Sequence, residues 1–488
     1  MKSEASGVRR RSTWQAACRL LLALLSLAVL GGCLPRGQSV AGPSFDLGRG
    51  GPDTPRLSCF LTLEESEGPA VRLEVASLEI LADDLWIPIT SRALIIDSGE
   101  IGDGQLFLGG RAVQPGRYRR LRLAVTKGSV KQADGQYAAI TQEPFSVEVD
   151  LTADLSLESE DSRSLFITWD VQKSVEAANV LRPVLTAAPP LKQMPIDLVF
   201  AACPDIDTVF VVRADRNWVV DSFGLKGRPT YLAIDPDLSR QRLYVLASRE
   251  RMVKVVDILS YRVIDYFPIP LNDAPTFMTI SPDGQGAFLL DERNGYLSRM
   301  DLSTGRSVAR VRLDFRPKFA AFLEEQNLLA VSLSLSQKVL LLDPQSLAVV
   351  GNIPTGSSPQ GLLVSDNKLY IAESGDNTVS IVDLARRGIQ DRLTVGFGPR
   401  RLLEVDNRIY VSNYEDGSLS VLVPGQLGVI QEIHGLGRPT EMAIDQFYRR
   451  LYVADEEAAA LAVIDVNANL LLGYVTLGAK PTGLGVIQ

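Results

Sequence analysis

Residues 359–394 read PQGLLVSDNKLYIAESGDNTVSIVDLARRGIQDRLT, and this stretch carries the plan of most of the chain. A proline opens an apolar run, a turn follows, and then come LYIAES, a third run ending in Asp383 and a fourth rich in β-branched and polar residues. Runs of this length, alternating or wholly apolar and separated by turn residues, predict four short strands. The proline recurs at 229, 275, 317, 359, 399, 439 and 481, at intervals of 46, 42, 42, 40, 40 and 42. Second-strand copies (LYVLAS, LYIAES, IYVSNY, LYVADE) and third-strand copies (VKVVD, VLLLD, VSIVD, LAVID) follow in register. Four strands every 42 or so residues predict an all-β, seven-bladed β-propeller over residues 196–488. An aspartate closing the third strand, at 215, 257, 301, 343, 383 and 465 with Pro424 in the remaining unit, is expected to cap the turn into strand four.

The pattern LY-[VI]-[AS], with DNTVSIVD at 376–383 as its clearest copy, resembles the YVTN repeats of bacterial and archaeal surface propellers. That resemblance implies an architecture and says little of function. The first unit begins with its second strand (DLVFAAC), and the last segment, KPTGLGVIQ at 480–488, supplies a lone first strand. The C-terminus is therefore expected to enter the first blade as its innermost strand, closing the ring.

Upstream, residues 56–190 hold short alternating runs (VRLEVASLEIL, YRRLRLAV, FSVEVDLT, SLFITWDV) divided by turn clusters, which predict a β-sandwich. Pro115-Gly116-Arg117-Tyr118, the strand LFITWDV with Lys173-Ser174, and Leu181-Arg182-Pro183 resemble a transthyretin-like β-sandwich domain of secreted bacterial lipoproteins. Tyr118, Trp169 and Asp170 are expected to serve packing and turns.

Residues 1–32 read as a signal peptide. Lys2, Arg9, Arg10, Arg11 and Arg19 precede an apolar run at 20–30 that is too short to span a bilayer. Leu30-Gly31-Gly32-Cys33 resembles the lipobox of bacterial lipoproteins, which implies that Cys33 is acylated (diacylglycerol and palmitate) and becomes the mature N-terminus. Leu34 after it implies the outer rather than the inner membrane where a cell has two. Residues 33–55 then form a lipidated cysteine and a Gly/Pro-rich tether, reaching about 25 Å as a random coil. Loss of residues 1–32 moves the net charge from −8 to −12, so an anionic bilayer should repel the mature chain. Of the remaining cysteines, Cys59 and Cys203 either form a disulfide, which an exported compartment permits, or stay separate buried thiols.

Composition narrows function further. With 58 acidic against 50 basic residues, a nucleic-acid partner is disfavoured. One histidine, His434, cannot build a multi-imidazole copper or zinc site or repeated catalytic triads. It is expected to be an exposed loop residue. No nucleophile elbow, P-loop or Cys-x-x-Cys motif occurs, and the innermost strands are mostly apolar or small, with Glu404 and Glu441 as isolated acids. The expectation is a non-catalytic, membrane-tethered binding or scaffold lipoprotein with no cofactor, no catalytic residue and no metal. It would touch the bilayer through Cys33 and bind a protein or an anionic envelope polymer. Two alternatives are a propeller enzyme with a metal or cofactor in the channel, and a structural surface-layer component. The residue before the repeat proline is basic in four units, Arg228, Arg316, Arg438 and Lys480, whereas the strand two-to-three loops are acidic. A positive funnel inside an acidic rim is expected, placing those four residues as an anion or partner site.

Overall fold

A computed structural model describes residues 51, 53–64, 68–90, 92–140, 144–176, 180–191, 196–269, 275–314 and 316–487. The expected signal peptide, Cys33 and nearly all of the expected tether lie outside these residues. No helix among the described residues is long and apolar enough to cross a membrane.

Seven four-stranded antiparallel sheets stand around one axis. The innermost strands of blades 2 to 7 are Pro229–Ile234, Pro275–Ile280, Pro317–Leu323, Pro359–Ser365, Pro399–Val405 and Pro439–Asp445. In blade 1 that place is taken by the C-terminal strand Gly483–Ile487, which pairs antiparallel with Leu198–Cys203 from Leu198↔Ile487 to Ala202↔Gly483. The ring is thus closed by strand exchange between its two ends, and no innermost edge is left open.

Each blade packs both faces on its neighbours, so its second strand is apolar throughout. Leu369, Tyr370, Ile371 and Ala372 are all buried, whereas the outermost strand Leu470–Thr476 alternates exposed and half-buried residues, with Val475 buried. The tyrosine of the second strand also ties neighbouring blades. Tyr410 of blade 6 donates to Asn469 Oδ1 in the three-to-four turn of blade 7 at 2.6 Å, and Arg408 reaches Val466 O at 2.7 Å. Across the closing seam Tyr452 repeats this with Asn217 at 2.7 Å, and Arg450 with Ala214 O.

The third-strand aspartates cap their turns. Asp257 accepts from Ser260 N, Asp301 from Ser303 N and Thr304 N, Asp343 from Ser346 N, Asp383 from Ala385 N and Asp465 from Asn467 N. The Ser303 hydroxyl and the amide donors hold the Asp301 carboxyl below its usual range. Asp215 departs from the expected register. Its strand ends at Arg213, two residues earlier, and Asp215 pairs with Arg213 instead.

The first domain comprises β1 (Arg56–Leu63), β2 (Val71–Ala82), β3 (Leu85–Thr90), β4 (Leu94–Asp97), β5 (Leu106–Ala112), β6 (Gly116–Lys131), β7 (Tyr137–Ile140), β8 (Phe145–Leu157), β9 (Ser162–Asp170), β10 (Val175–Glu176), β11 (Val180–Leu181) and β12 (Val184–Ala188). Its sandwich is one sheet in the order β3-β2-β6-β8-β12-β9-β1-β5, curled until its edges meet where Arg111 donates to Pro88 O at 3.0 Å. Tyr118 and Trp169 are fully buried in its core; the first donates to Gln114 O and the second to Ser174 Oγ at 2.9 Å. Asp170 caps a helical turn through Lys173 N.

This domain packs along blade 1. Phe60 and Phe107 lie 5.2 Å apart and Phe60 meets Phe210 edge-on at 6.3 Å. The Ser164 and Ser222 hydroxyls bond at 2.9 Å, Thr208 donates to Ser162 at 3.0 Å, and Gln105 brackets Val219 through both its amide atoms. Gly224 is required at this contact, because a Cβ there would lie 1.8 Å from Glu160 O. Cys59 and Cys203 are separate, buried thiols. Successive side chains of β1 alternate faces, so Phe60 meets the propeller and Cys59 turns into the sheet domain's own core. Burial pushes the Cys59 thiol up to about 12 and raises that of Cys203 as well.

Candidate functional site

The connections leading into the innermost strands share one face of the ring, here called the mouth, with the strand two-to-three loops. Arg228 and Arg316 occupy the left-handed residue before the repeat proline (φ 64° and 59°), the position Ser358 and Gly398 hold in other blades. The Arg228 guanidinium lies 3.6 Å from Asp205 and its backbone N donates to Asp207. Arg316 lies 3.8 Å from Glu292, a carboxylate it shares with Lys318 at 2.6 Å. Arg438 is 3.6 Å from Glu457, whereas Lys480 is exposed and has no carboxylate in ion-pair range among the described residues. The four predicted residues therefore share one face, three of them already paired at blade junctions.

The acidic rim needs correction. Asp291, Glu373 and Asp455 are fully buried and serve as caps. Glu373 accepts from Gly356 N, Thr378 and Ser380, each at 2.7 Å, and Asp455 from Gly437 N at 2.7 Å and Arg438 N at 2.9 Å. Their job is to satisfy backbone donors where each chain turns inward. Asp205, Asp376, Glu415, Asp416 and Glu457 remain as exposed acids of the mouth.

Inside the channel, the residues two places after the seven prolines form one layer: Tyr231, Phe277, Phe319, Gly361, Arg401, Glu441 and Gly483. Tyr231 and Phe277 rings are 4.7 Å apart, Phe277 and Phe319 rings 4.4 Å, and the Arg401 guanidinium sits 4.8 Å over Phe319. Glu441 is no isolated acid, since it pairs with Arg401 at 3.1 Å. Burial raises the Tyr231 phenol, Glu441 raises it further and Arg401 opposes, which places all three together across the ring. At Gly483 a side chain would press on the Tyr231 backbone, with Cβ 2.9 Å from its Cα. Aligning the seven inner strands on their prolines would have found this layer from sequence.

One residue nearer the mouth, Arg400 sits over the Tyr414 ring, 3.2 Å from its centroid, with Arg438 at 5.5 Å from the same ring. Among the described residues no carboxylate is in ion-pair range of Arg400, and burial lowers its pKa. Tyr414 and Glu456, which accepts from the Tyr414 hydroxyl at 2.9 Å, oppose that lowering without closing an ion pair, so the half-buried guanidinium keeps room for an anionic group.

His434 is the last residue of the outermost strand of blade 6 (Gln431–His434), not a loop residue, and is exposed. With Asp416 and Glu432 it forms an exposed group whose ligand atoms lie within 4.8 Å of one another, a spacing that could hold a divalent cation. A cavity of about 490 Å³ separates the first domain from blade 1, bordered by Glu64, Ser98, Asp103, Asp215, Arg216 and Trp218.

Fold and mouth together define a seven-bladed propeller carrying a curled-sheet domain on its first blade. No protein-family model matches the chain, and no curated protein does. Among solved structures it is similar to a functionally unknown protein from Desulfotomaculum acetoxidans DSM 771, with TM-score 0.53 and 13% identity over 60% of this chain and 99% of that one. Dihydro-heme d1 dehydrogenase NirN in complex with DHE gives TM-score 0.47 and 14% identity over 59% of this chain and 65% of that one. Kuenenia stuttgartiensis hydrazine synthase gives 0.41 and 15% over 52% and 88%. At these identities the likeness concerns the fold alone.

Proposed function

We propose that the protein is a membrane-tethered, non-catalytic binding or scaffold lipoprotein, exported and acylated at Cys33, whose YVTN-like propeller offers its mouth to an anionic partner in the envelope. The observation that carries this reading is Arg400, set against the Tyr414 ring with no carboxylate in ion-pair range among the described residues, in a mouth where Arg228, Arg316 and Arg438 are held by neighbouring acids and Lys480 is not. Paired cations keep the junctions together at small net energy, since exposed ion pairs contribute about 0–1 kcal/mol each. Arg400 and Lys480 are left to meet a ligand. The axis below it is occupied by Tyr231, Phe277, Phe319 and the Arg401–Glu441 pair, so the ligand group rests on the mouth.

The test is a crosslinking pulldown from native envelopes with the lipidated protein and a variant carrying Arg400→Gln together with Arg228→Gln, Arg316→Gln, Arg438→Gln and Lys480→Gln. The partner should be lost from the variant, and salt should weaken its capture by the wild type. Equal capture by a correctly folded variant overturns the mouth as the site. Fractionation of Cys33→Ala checks the anchor: it should appear as a soluble protein or an uncleaved precursor.

A further inference from the structure

Blade 6 departs from the repeat at one spot. Its outermost strand pairs with the third strand at Ser420↔Glu432 and Ser418↔His434, so Glu432 and His434, two residues apart, point to one face of the sheet. The hairpin between the second and third strands brings Asp416 to them, and the ligand atoms of the three lie within 4.8 Å of one another. In blade 5 the matching residues have other work. Arg392 faces Glu373 at 3.5 Å, Thr394 stands in the place of His434, and Asp376 caps Ser357 N at 2.7 Å. Asp416 accepts instead from the Ser418 hydroxyl at 2.9 Å, and the fully buried Asn413 amide donates to that hydroxyl at 3.0 Å. None of the other six blades has a carboxylate or an imidazole at either place of the outermost strand.

Two carboxylates and one imidazole thus converge, and among the described residues no lysine or arginine is in ion-pair range of either acid. His434 Nε2 stands 3.3 Å from Glu432 Oε2. Nitrogen and oxygen donors bound to zinc at about 2.0–2.1 Å with tetrahedral angles lie about 3.3–3.4 Å from each other. This pair already has the spacing of two ligands on one ion. We propose that Asp416, Glu432 and His434 form a binding site for one divalent cation of the zinc class, at the outer edge of the mouth. Imidazole nitrogen with carboxylate oxygen suits zinc, whereas calcium and magnesium take oxygen donors alone. Three protein donors leave one tetrahedral position open toward solvent. The Asn413–Ser418–Asp416 chain of hydrogen bonds holds one carboxylate from the blade interior, as outer hydrogen bonds orient the ligands of metal sites. Composition excludes a multi-imidazole centre, but a single histidine is enough where two carboxylates complete the set. The bound cation neutralises both acids of this corner of the rim.

Zinc titration of the full chain in detergent, purified without a polyhistidine tag and stripped with a chelator, tests the site. One zinc ion should bind per chain, and cobalt in its place should give the visible absorption of a tetrahedral centre. Cys59 and Cys203 are buried and offer no competing thiolate. His434 is the sole imidazole of the chain, so histidine-labelled protein should show a single ring signal that moves as zinc is added. His434→Ala, Asp416→Asn and Glu432→Gln should each weaken zinc binding at least about tenfold. The double variant Glu432→Arg, His434→Thr carries the residues of blade 5 at exposed positions, so it should melt with the zinc-free wild type and lose the bound ion. Calcium in excess should leave zinc in place. Absence of stoichiometric binding overturns the site, and displacement by calcium overturns the assignment to the zinc class. Zinc affinity unchanged in the double variant means an adventitious ion only, held by other surface acids, and overturns the proposal as well.

Discussion

Blades 5 and 6 follow one template residue for residue, forty positions apart, yet their polar interiors differ. In blade 5, Glu373 ends the second strand and gathers Gly356 N, Thr378 and Ser380, with the Arg392 guanidinium 3.5 Å away. In blade 6 the same place holds Asn413, bonded to Ser418 at 3.0 Å and Ser420 at 2.9 Å, its Oδ1 buried without a partner. Where blade 5 has Arg392 and Thr394, blade 6 has Glu432 and His434. The tyrosines invert this. Tyr410 of blade 6 finds Asn469, whereas the Tyr370 hydroxyl of blade 5 is buried unpartnered, because the turn it faces in blade 6 runs through Pro424 and has no asparagine. Both blades keep an apolar interior of the same pattern. Apolar stacking holds the ring, and polar caps vary around it.

If that ordering is right, removing the closing strand must exceed any cap variant. Deleting residues 477–488 strips the innermost strand from blade 1 and should lower Tm by more than 15 °C or leave the protein insoluble. A truncated protein that melts with the full chain breaks the argument. Next comes Glu373→Ala, which orphans three buried donors and Arg392 and should cost about 3–5 kcal/mol in denaturant titration. Asn413→Ala in blade 6 should cost about 1 kcal/mol.

A third buried carboxylate sharpens the contrast. Asp221, at the contact of blade 1 with the first domain, accepts only from Ser222 N, and burial raises it to about 6, with that bond and Arg163 opposing. Its folded value lies above the ordinary 3.8, so its protonated form is favoured by folding. Its contribution is full below pH 4 and is lost as pH rises through 6. Asp221→Asn should therefore raise stability at pH 7.5 by about 1–3 kcal/mol and make no difference at pH 4. An equal gain at both pH values would place the effect in packing. The smallest effects separate the tyrosines: Tyr410→Phe should cost about 1 kcal/mol, while Tyr370→Phe should be neutral or stabilising.

What was legible in the sequence follows from what each feature depends on. Strand order and closure were readable, because they rest on local periodicity and on a first strand missing at one end and left over at the other. The curl of the first domain was not, since it depends on β3 meeting β5, a contact no alternating pattern announces. Glu373 and Asp455 read as surface acids because a loop carboxylate looks the same whether it faces water or three backbone N–H groups. Asp215 was assigned by residue type, and its strand ended two residues earlier. The Arg401–Glu441 pair was present as an offset from two prolines but is forty residues apart in the chain.

The placement of β1 has a mechanical consequence. It is flanked by β9 and β5, and the chain enters it at the mouth end, where Ser162, level with Arg56, bonds to Thr208 and Lys226 pairs with Asp53. A pull on the chain N-terminal to β1 would first break the Asp53–Lys226 pair and then load the hydrogen bonds of β1 together in shear, rather than peeling them one by one. The other terminus sits inside blade 1, behind the same domain. The fold is thus strongest against a force drawn along the chain that enters β1.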